Sequence, residues 1–276
     1  MLESIRNYWQ ARVAVGLFLA LTLFWIILQL GFFKNTTIFD HSVAKFFGVV
    51  YGLMALWGGI WGINVSKKWG FYKSITGRAI IMFSLGLFAQ EFGQLVLSYI
   101  DYVLHIQGAY PSIGDIGFFG SIPLYIYGVL LLAKASGVKL KLKSYGNKIQ
   151  AILIPVVMLV IGYILFLQGY SFDWSQPIKI FLDFGYPFGQ AIYISIALLT
   201  YLLSRGVLGG VMKSKILFIL FALAIQFLSD YTFLYQSSKG TWQVGGINDY
   251  MYLCAYFIMT LALLSLNTKS INKHLD

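Results

Sequence analysis

Glu91, Gln94, Ser98 and Asp101 stand at i, i+3, i+7 and i+10 in the stretch FAQEFGQLVLSYIDY. That spacing puts all four on one face of a helix. At 1.5 Å per residue the polar stripe runs about 15 Å, and its apolar setting places it across half a bilayer. An ionised carboxylate in hydrocarbon costs several kcal/mol unless it is paired, protonated or turned to a wet cavity. No Lys or Arg lies at the depth of Glu91, so the stripe must face the interior of a bundle with the acid protonated or engaged by a ligand. A later segment repeats the idea with Asp183, Tyr186 and Gln190, and the next with Gln226, Ser229 and Asp230. We read these three helices as lining a water-accessible pocket on the outer face, with Tyr99, Tyr102, Tyr125, Tyr186, Tyr193 and Tyr231 as hydroxyl partners. The competing reading is interhelical hydrogen bonding, which suits Gln94, Ser98 and Gln226 well and Glu91 least.

The elements that must carry these residues are membrane-spanning helices. The chain is 59% hydrophobic and 11% charged, with a mean hydropathy of +0.76, more apolar surface than a soluble domain can hide. Apolar runs of about 20 residues predict an all-α polytopic fold with eight spans, near 13–33, 43–64, 78–103, 114–136, 149–169, 177–203, 215–236 and 248–267. The first run is too long for a cleaved signal and reads as an anchor. Residues 1–12 read as a short interfacial lead-in, 268–276 as a tail, and the whole chain as one membrane domain.

Sixteen of the twenty Lys and Arg fall at the termini or in the second, fourth and sixth connections; the other side holds only Lys34, Lys45, Lys179 and Lys239. By the positive-inside rule both termini are expected in the cytoplasm and the protein in the cell's inner, plasma membrane. The net charge of +10 is spread over short loops, which suits anionic lipid headgroups and argues against nucleic acid. Eight of the ten acids lie in the opposite connections or in the spans beside them.

Asp40, Asp115, Asp183 and Asp249 recur at intervals of 75, 68 and 66 residues near the outer ends of even-numbered spans, suggesting four helical hairpins. Capping of a helix start explains Asp40, Asp115 and Asp249 without any ligand. It does not explain Asp183 or Asp230, which lie within apolar runs.

Other features carry less. No lysine lies deep in a late span to form a Schiff base, and His41, His105 and His274 make no metal-ligand pattern. Cys254 reads as a small buried hydrophobe. Gly58 and Gly62 form a small-xxx-small pair suited to packing. Pro123 and Pro187 should bend their helices. Asn35-Thr36-Thr37 fits a glycosylation pattern too short to carry weight.

Three stretches have a collective likeness. AYPSIGDIGFFGSIPLYIYGVLLL from Ala109, DFGYPFGQAIYISIALL from Asp183 and GTWQVGGINDYMYLCAYFIMTLALLSL from Gly240 resemble the polytopic regions that precede GGDEF and EAL domains in bacterial cyclic-di-GMP signalling proteins. Pro111, Ser112 and Asp115 match one motif of that pattern, Tyr186, Pro187 and Gly189 a second, and Gly240, Gly245 and Asp249 a third. Gln190 stands where the pattern more often has an acid, and the sequence carries no GGDEF or EAL domain of its own. The resemblance implies an input module that senses something at or outside the membrane; it supplies neither ligand nor cofactor.

The expected function is therefore a sensory or ligand-binding module with an acidic, Tyr-rich outer pocket. Glu91, Asp183 and Asp230 would be its anchors, Gln94, Tyr186 and Gln190 its lining, and Asp101, Asp115 and Asp249 its rim. It would act through a signalling partner in the cytoplasm or membrane. A cation- or proton-coupled transporter with Glu91 as the titrating group is the alternative, and a lipid-modifying membrane enzyme the third.

Overall fold

The computed structural model describes residues 8–30, 39–106, 109–136, 144–204 and 210–267. The side chains of 39–42, 204 and 210–212 lie outside that description, as do Arg6, Lys34, Asn35 to Thr37, Lys139, Lys141, Lys143, Arg205, Lys269, Lys273 and His274. Asp40 and His41 are among these side chains.

Every regular element among the described residues is helical: α1 (Trp9–Gln29), α2 (Phe39–Val50), α3 (Leu53–Lys68), α4 (Ile75–Tyr102), α5 (Gly114–Ala135), α6 (Tyr145–Gly162), α7 (Pro177–Ser204), α8 (Gly210–Ser238) and α9 (Ile247–Ser265). Eight of the resulting stretches are long and apolar enough to cross a membrane, α2 and α3 together making the second as Val43–Lys68. The protein is a multi-pass helical membrane protein.

Two boundaries differ from expectation. The first span starts at Trp9, so residues 9–12 form its opening turn instead of a separate interfacial segment. Aromatic contact holds them there: the Trp9 ring meets those of Trp57 and Trp61 edge-on at 5.8 and 5.3 Å, and Trp57 Nε1 donates to the Gln10 carbonyl at 3.1 Å. The second span is interrupted at Tyr51 and Gly52. The helices continue through Pro123 and Pro187, while α6 widens into a π turn at Tyr163–Leu167.

Glycines set the closest approach. A methyl at Gly117 of α5 would meet Gly93 N at 2.6 Å, and one at Gly93 of α4 would meet the Gly114 carbonyl at 2.9 Å. The two backbones therefore touch, and α4–α5 is the most extensive helix pair. Gly58 and Gly62 of α3 lie against Thr260 and Leu87, and against Ser84 and Leu263, letting α3 nest between α4 and α9. α9 is the most enclosed span, packing on α8, α3 and α1, while α6 is almost wholly on the periphery against α7.

Candidate functional site

The stripe on α4 faces the interrupted span. Asp101 pairs with Lys45 of α2 at 3.1 Å. Gln94 donates to the Gly48 carbonyl at 2.6 Å and accepts from the Tyr51 hydroxyl at 2.9 Å. Glu91, only 4% exposed, lies with its carboxyl against Gly52, where a methyl group would overlap Oε2. Positions 101, 94 and 91 thus meet 45, 48 and 52 in antiparallel order. Asp101 is an ion-paired residue here, so its carboxylate is already neutralised. Ser98 instead lines a groove of about 410 Å³ with Phe46, Val49, Leu95, Tyr99 and Tyr102. Three of that groove's walls, Phe46, Leu95 and Tyr99, are about half exposed, as suits a lipid-facing crevice.

Glu91 is the exception among the buried acids. Its Oε2 has no hydrogen-bond partner. Beside it a polar chain crosses the bundle: the Tyr256 hydroxyl of α9 donates to Gln90 Oε1 at 3.2 Å, and Gln90 Nε2 donates to Ser121 of α5 at 2.8 Å.

Asp230 belongs to a second group on α7, α8 and α9. It accepts from Gln226 Nε2 at 3.0 Å and the Tyr193 hydroxyl at 3.2 Å, and Tyr252 also bonds to it. Tyr125 packs edge-on against Tyr193 with 6.0 Å between centroids, and Tyr256 stacks on both Tyr51 and Tyr252. A buried tyrosine layer therefore runs between Glu91 and Asp230. Gln190 is buried close to this level with an unpartnered Oε1.

Asp183 belongs to a third group, near the Pro177 end of α7. Its carboxylate accepts from the hydroxyls of Tyr110 at 2.7 Å and Tyr170 at 2.6 Å and from Lys179 Nζ at 2.8 Å. The Lys179 ammonium also stands 5.9 and 6.0 Å from the two ring centroids, inside the range of a cation–π contact. Burial and the Asp183 bond push the Tyr110 hydroxyl well above its ordinary pKa. The Tyr170 hydroxyl is pushed up to about 12, first by its bond to Asp183 and then by burial. In the same loop Asp173 is held below the usual carboxylate range by bonds from the Ser175 hydroxyl and N–H.

Beneath this cage the Tyr186 hydroxyl donates to Asp115 Oδ1 at 2.7 Å. The other oxygen of Asp115 takes the Ser112 N–H at 2.7 Å while Ser112 Oγ accepts from Gly114 N–H at 3.1 Å. That reciprocal pair is a capping box at the start of α5. Asp249 is buried and accepts the Gly245 N–H at 2.6 Å; Gly240 and Gly245 both have positive φ, at 64° and 73°, so the glycines of that motif serve the turn.

The nine residues expected to share one pocket thus fall into separate groups: Glu91, Gln94 and Asp101 against α2 and α3; Asp230 and Gln190 with the tyrosine layer; Asp183, Tyr186 and Asp115 in the first turns of α5 and α7; and Asp249 at the loop before α9. Tyr51, Tyr110, Tyr170, Tyr252, Tyr256 and Gln90 were not anticipated. Tyr252 and Tyr256 had a signal, an i, i+4 spacing on one helix face; Tyr110 and Tyr170 lie in connections, where no period applies. Among the described residues no three His, Cys, Asp or Glu converge as a metal would require.

Comparison with protein-family models, with curated proteins and with solved structures finds no match to this chain.

Proposed function

We propose that the protein is a membrane-embedded sensory or ligand-binding module whose outer-face site is the Asp183 cage. One observation carries this reading: a carboxylate at the mouth of the bundle gathers two tyrosine hydroxyls from different connections and holds an ammonium between their rings. That set binds a positively charged nitrogen, here the protein's own Lys179. A ligand bearing a primary or quaternary ammonium would compete for the same place, and its arrival would free α7 from the two connections. The link to the bundle below is the Tyr186–Asp115 bond. The resemblance to membrane regions of cyclic-di-GMP signalling proteins supports an input role, with both termini and a signalling partner on the cytoplasmic side of the inner membrane.

The test is binding of spermidine, choline and methylammonium to the purified protein, followed by the fluorescence of Trp174, which stacks on Phe172 beside Tyr170. Lys179→Met should strengthen binding of at least one amine and Asp183→Asn should abolish it. If no amine binds either wild type or Lys179→Met, the cage is only an ion pair.

A second reading, cation- or proton-coupled transport, is favoured by the unpartnered Glu91 at an interrupted span, since broken helices in transporters carry coupling-ion sites near mid-membrane. Reconstituted vesicles should then show ion-driven uptake that Glu91→Gln abolishes.

A further inference from the structure

Beside the Asp183 cage, the connection between α6 and α7 builds a run of stacked rings. Tyr170, whose hydroxyl bonds Asp183, meets Phe172 and Phe184 edge-on, each with 5.2 Å between centroids. Phe172 stacks on Phe184 at 5.6 Å and 25°, and on Trp174 at 5.6 Å and 14°. Phe172 is half exposed and Trp174 is 76% exposed, so the run ends on an indole with an open face. An aromatic belt at a membrane interface explains single exposed rings. It does not ask that they be stacked on one another and joined to a tyrosine that closes a polar cage.

The turn that carries the rings is fixed. The Asp173 carboxylate accepts from the Ser175 N–H at 3.1 Å, the Ser175 hydroxyl at 2.6 Å and the Gln176 side-chain amide at 2.9 Å, an Asx-type turn that holds the residues on either side of it. The charge lies one ring away. The Lys179 ammonium stands 6.0 Å from the Tyr170 centroid, and Phe172 is the next ring beyond Tyr170.

A ligand whose ammonium replaced Lys179 on Asp183 would therefore find aromatic surface within reach of a short carbon arm. A second ammonium would find less. Asp173 is the other carboxylate that feels the charge of Lys179, and both its oxygens are engaged within its own turn. Asp115 is engaged by Ser112 and Tyr186.

We propose that the Asp183 cage selects arylalkyl monoamines, with one ammonium on the carboxylate between Tyr110 and Tyr170 and a flat aromatic ring laid on Phe172 and Trp174. The inference rests on the reading of the cage as an ammonium site and adds which amine it takes. Ring burial and offset stacking favour such a ligand over an aliphatic amine of similar reach.

The experiment is isothermal titration calorimetry of the purified full-length protein, wild type and Lys179→Met, with phenethylamine, butylamine and putrescine. Phenethylamine should bind saturably and roughly tenfold or more tightly than the other two. Trp174→Ala and Phe172→Ala, both outside the helices, should bring phenethylamine down to the level of butylamine while the helical circular dichroism is kept. Asp183→Asn should abolish saturable binding of all three, which separates the site from partition into detergent. Butylamine or putrescine binding as tightly as phenethylamine overturns the aromatic selection and leaves the ammonium site standing. A preference for phenethylamine that survives both ring variants, or that survives Asp183→Asn, overturns it as well. No saturable binding of any amine to either protein removes the ammonium site and this inference together.

Discussion

Tyr186 of α7 donates its hydroxyl to Asp115 of α5 at 2.7 Å, joining two stretches that the sequence aligns with one another, DIGFFGSIPLYIYG and DFGYPFGQAIYISI. Asp115 spends its second oxygen on the capping box with Ser112. Around this bond Gly185 and Gly189 of α7 lie against Phe119 and Ile122 of α5, and Phe119 meets Tyr186 edge-on at 5.5 Å. The aspartate thus caps its own helix and fastens the next one. One carboxylate serves both its own helix start and a neighbouring helix.

Removing that hydroxyl has a predictable cost. Tyr186→Phe should lower stability by about 0.5–2 kcal/mol, the range from interhelical hydrogen bonds in membranes to those on charged groups. Asp115→Ala should cost about 1 kcal/mol more, because the cap is lost too. Thermal midpoints of the two single variants and the double variant check this: a shared bond makes the double variant less destabilised than the sum.

Gly117→Ala should be far more damaging than its one added carbon suggests. The methyl would meet the backbone of Gly93 and Ala89 on α4, and backbone cannot swing aside as a side chain can. Overpacking of this kind costs about 1–3 kcal/mol, seen as a lower midpoint and weaker resistance to denaturing detergent. Gly120→Ala, with open space around it, should be neutral.

The eight spans were legible because a run of about 20 apolar residues has few other fates. The inward face of α4 was legible for a related reason: Glu91, Gln94 and Asp101 share a period that lipid does not accept. Their partner was not. Nothing in VVYGLMALWGG announces a break at Tyr51 and Gly52, since glycine is common in membrane helices, and the groups beside it, Gln94 and Glu91, come from another helix. The Asp183 cage was half legible: the acid stood out within its apolar run, but Tyr110 and Tyr170 reach it from connections whose course no helical period describes. The grouping of the nine residues was not legible, because helical periods show which way a residue faces and not which residues on other helices stand beside it.

The cage should respond to alkaline pH. Tyr170 ionises near 12 in the folded protein against about 10 when free. Its neutral hydroxyl therefore contributes stability that is fully present below pH about 10 and is lost as pH rises through about 12. Tyrosinate absorbance of wild type minus Tyr170→Phe should show one group titrating late. Asp183→Asn should bring it back towards the ordinary value, since the bond to that carboxylate is the largest cause of the shift. A Tyr170 that titrates near 10 in wild type would show the bond is not formed in solution.

The sidedness on which both functional readings depend can be measured with one reactive group at a time. Cys254, the only cysteine, is half-buried in α9, so Cys254→Ala supplies a silent background. Tyr72 follows Lys67 and Lys68 in the connection after α3 and is 61% exposed; Ser175 lies in the connection before α7 and is also exposed. The basic residues Lys67, Lys68, Lys73 and Arg78 crowd the first of these connections, and Lys179 stands alone near the second, so the positive-inside rule puts Tyr72 in the cytoplasm and Ser175 outside. In intact cells, or spheroplasts where an outer membrane bars the reagent, a membrane-impermeant maleimide should label Ser175→Cys at once and Tyr72→Cys only after permeabilisation. The reverse pattern would turn the Asp183 cage to the cytoplasm, and an extracellular amine could then no longer be its ligand.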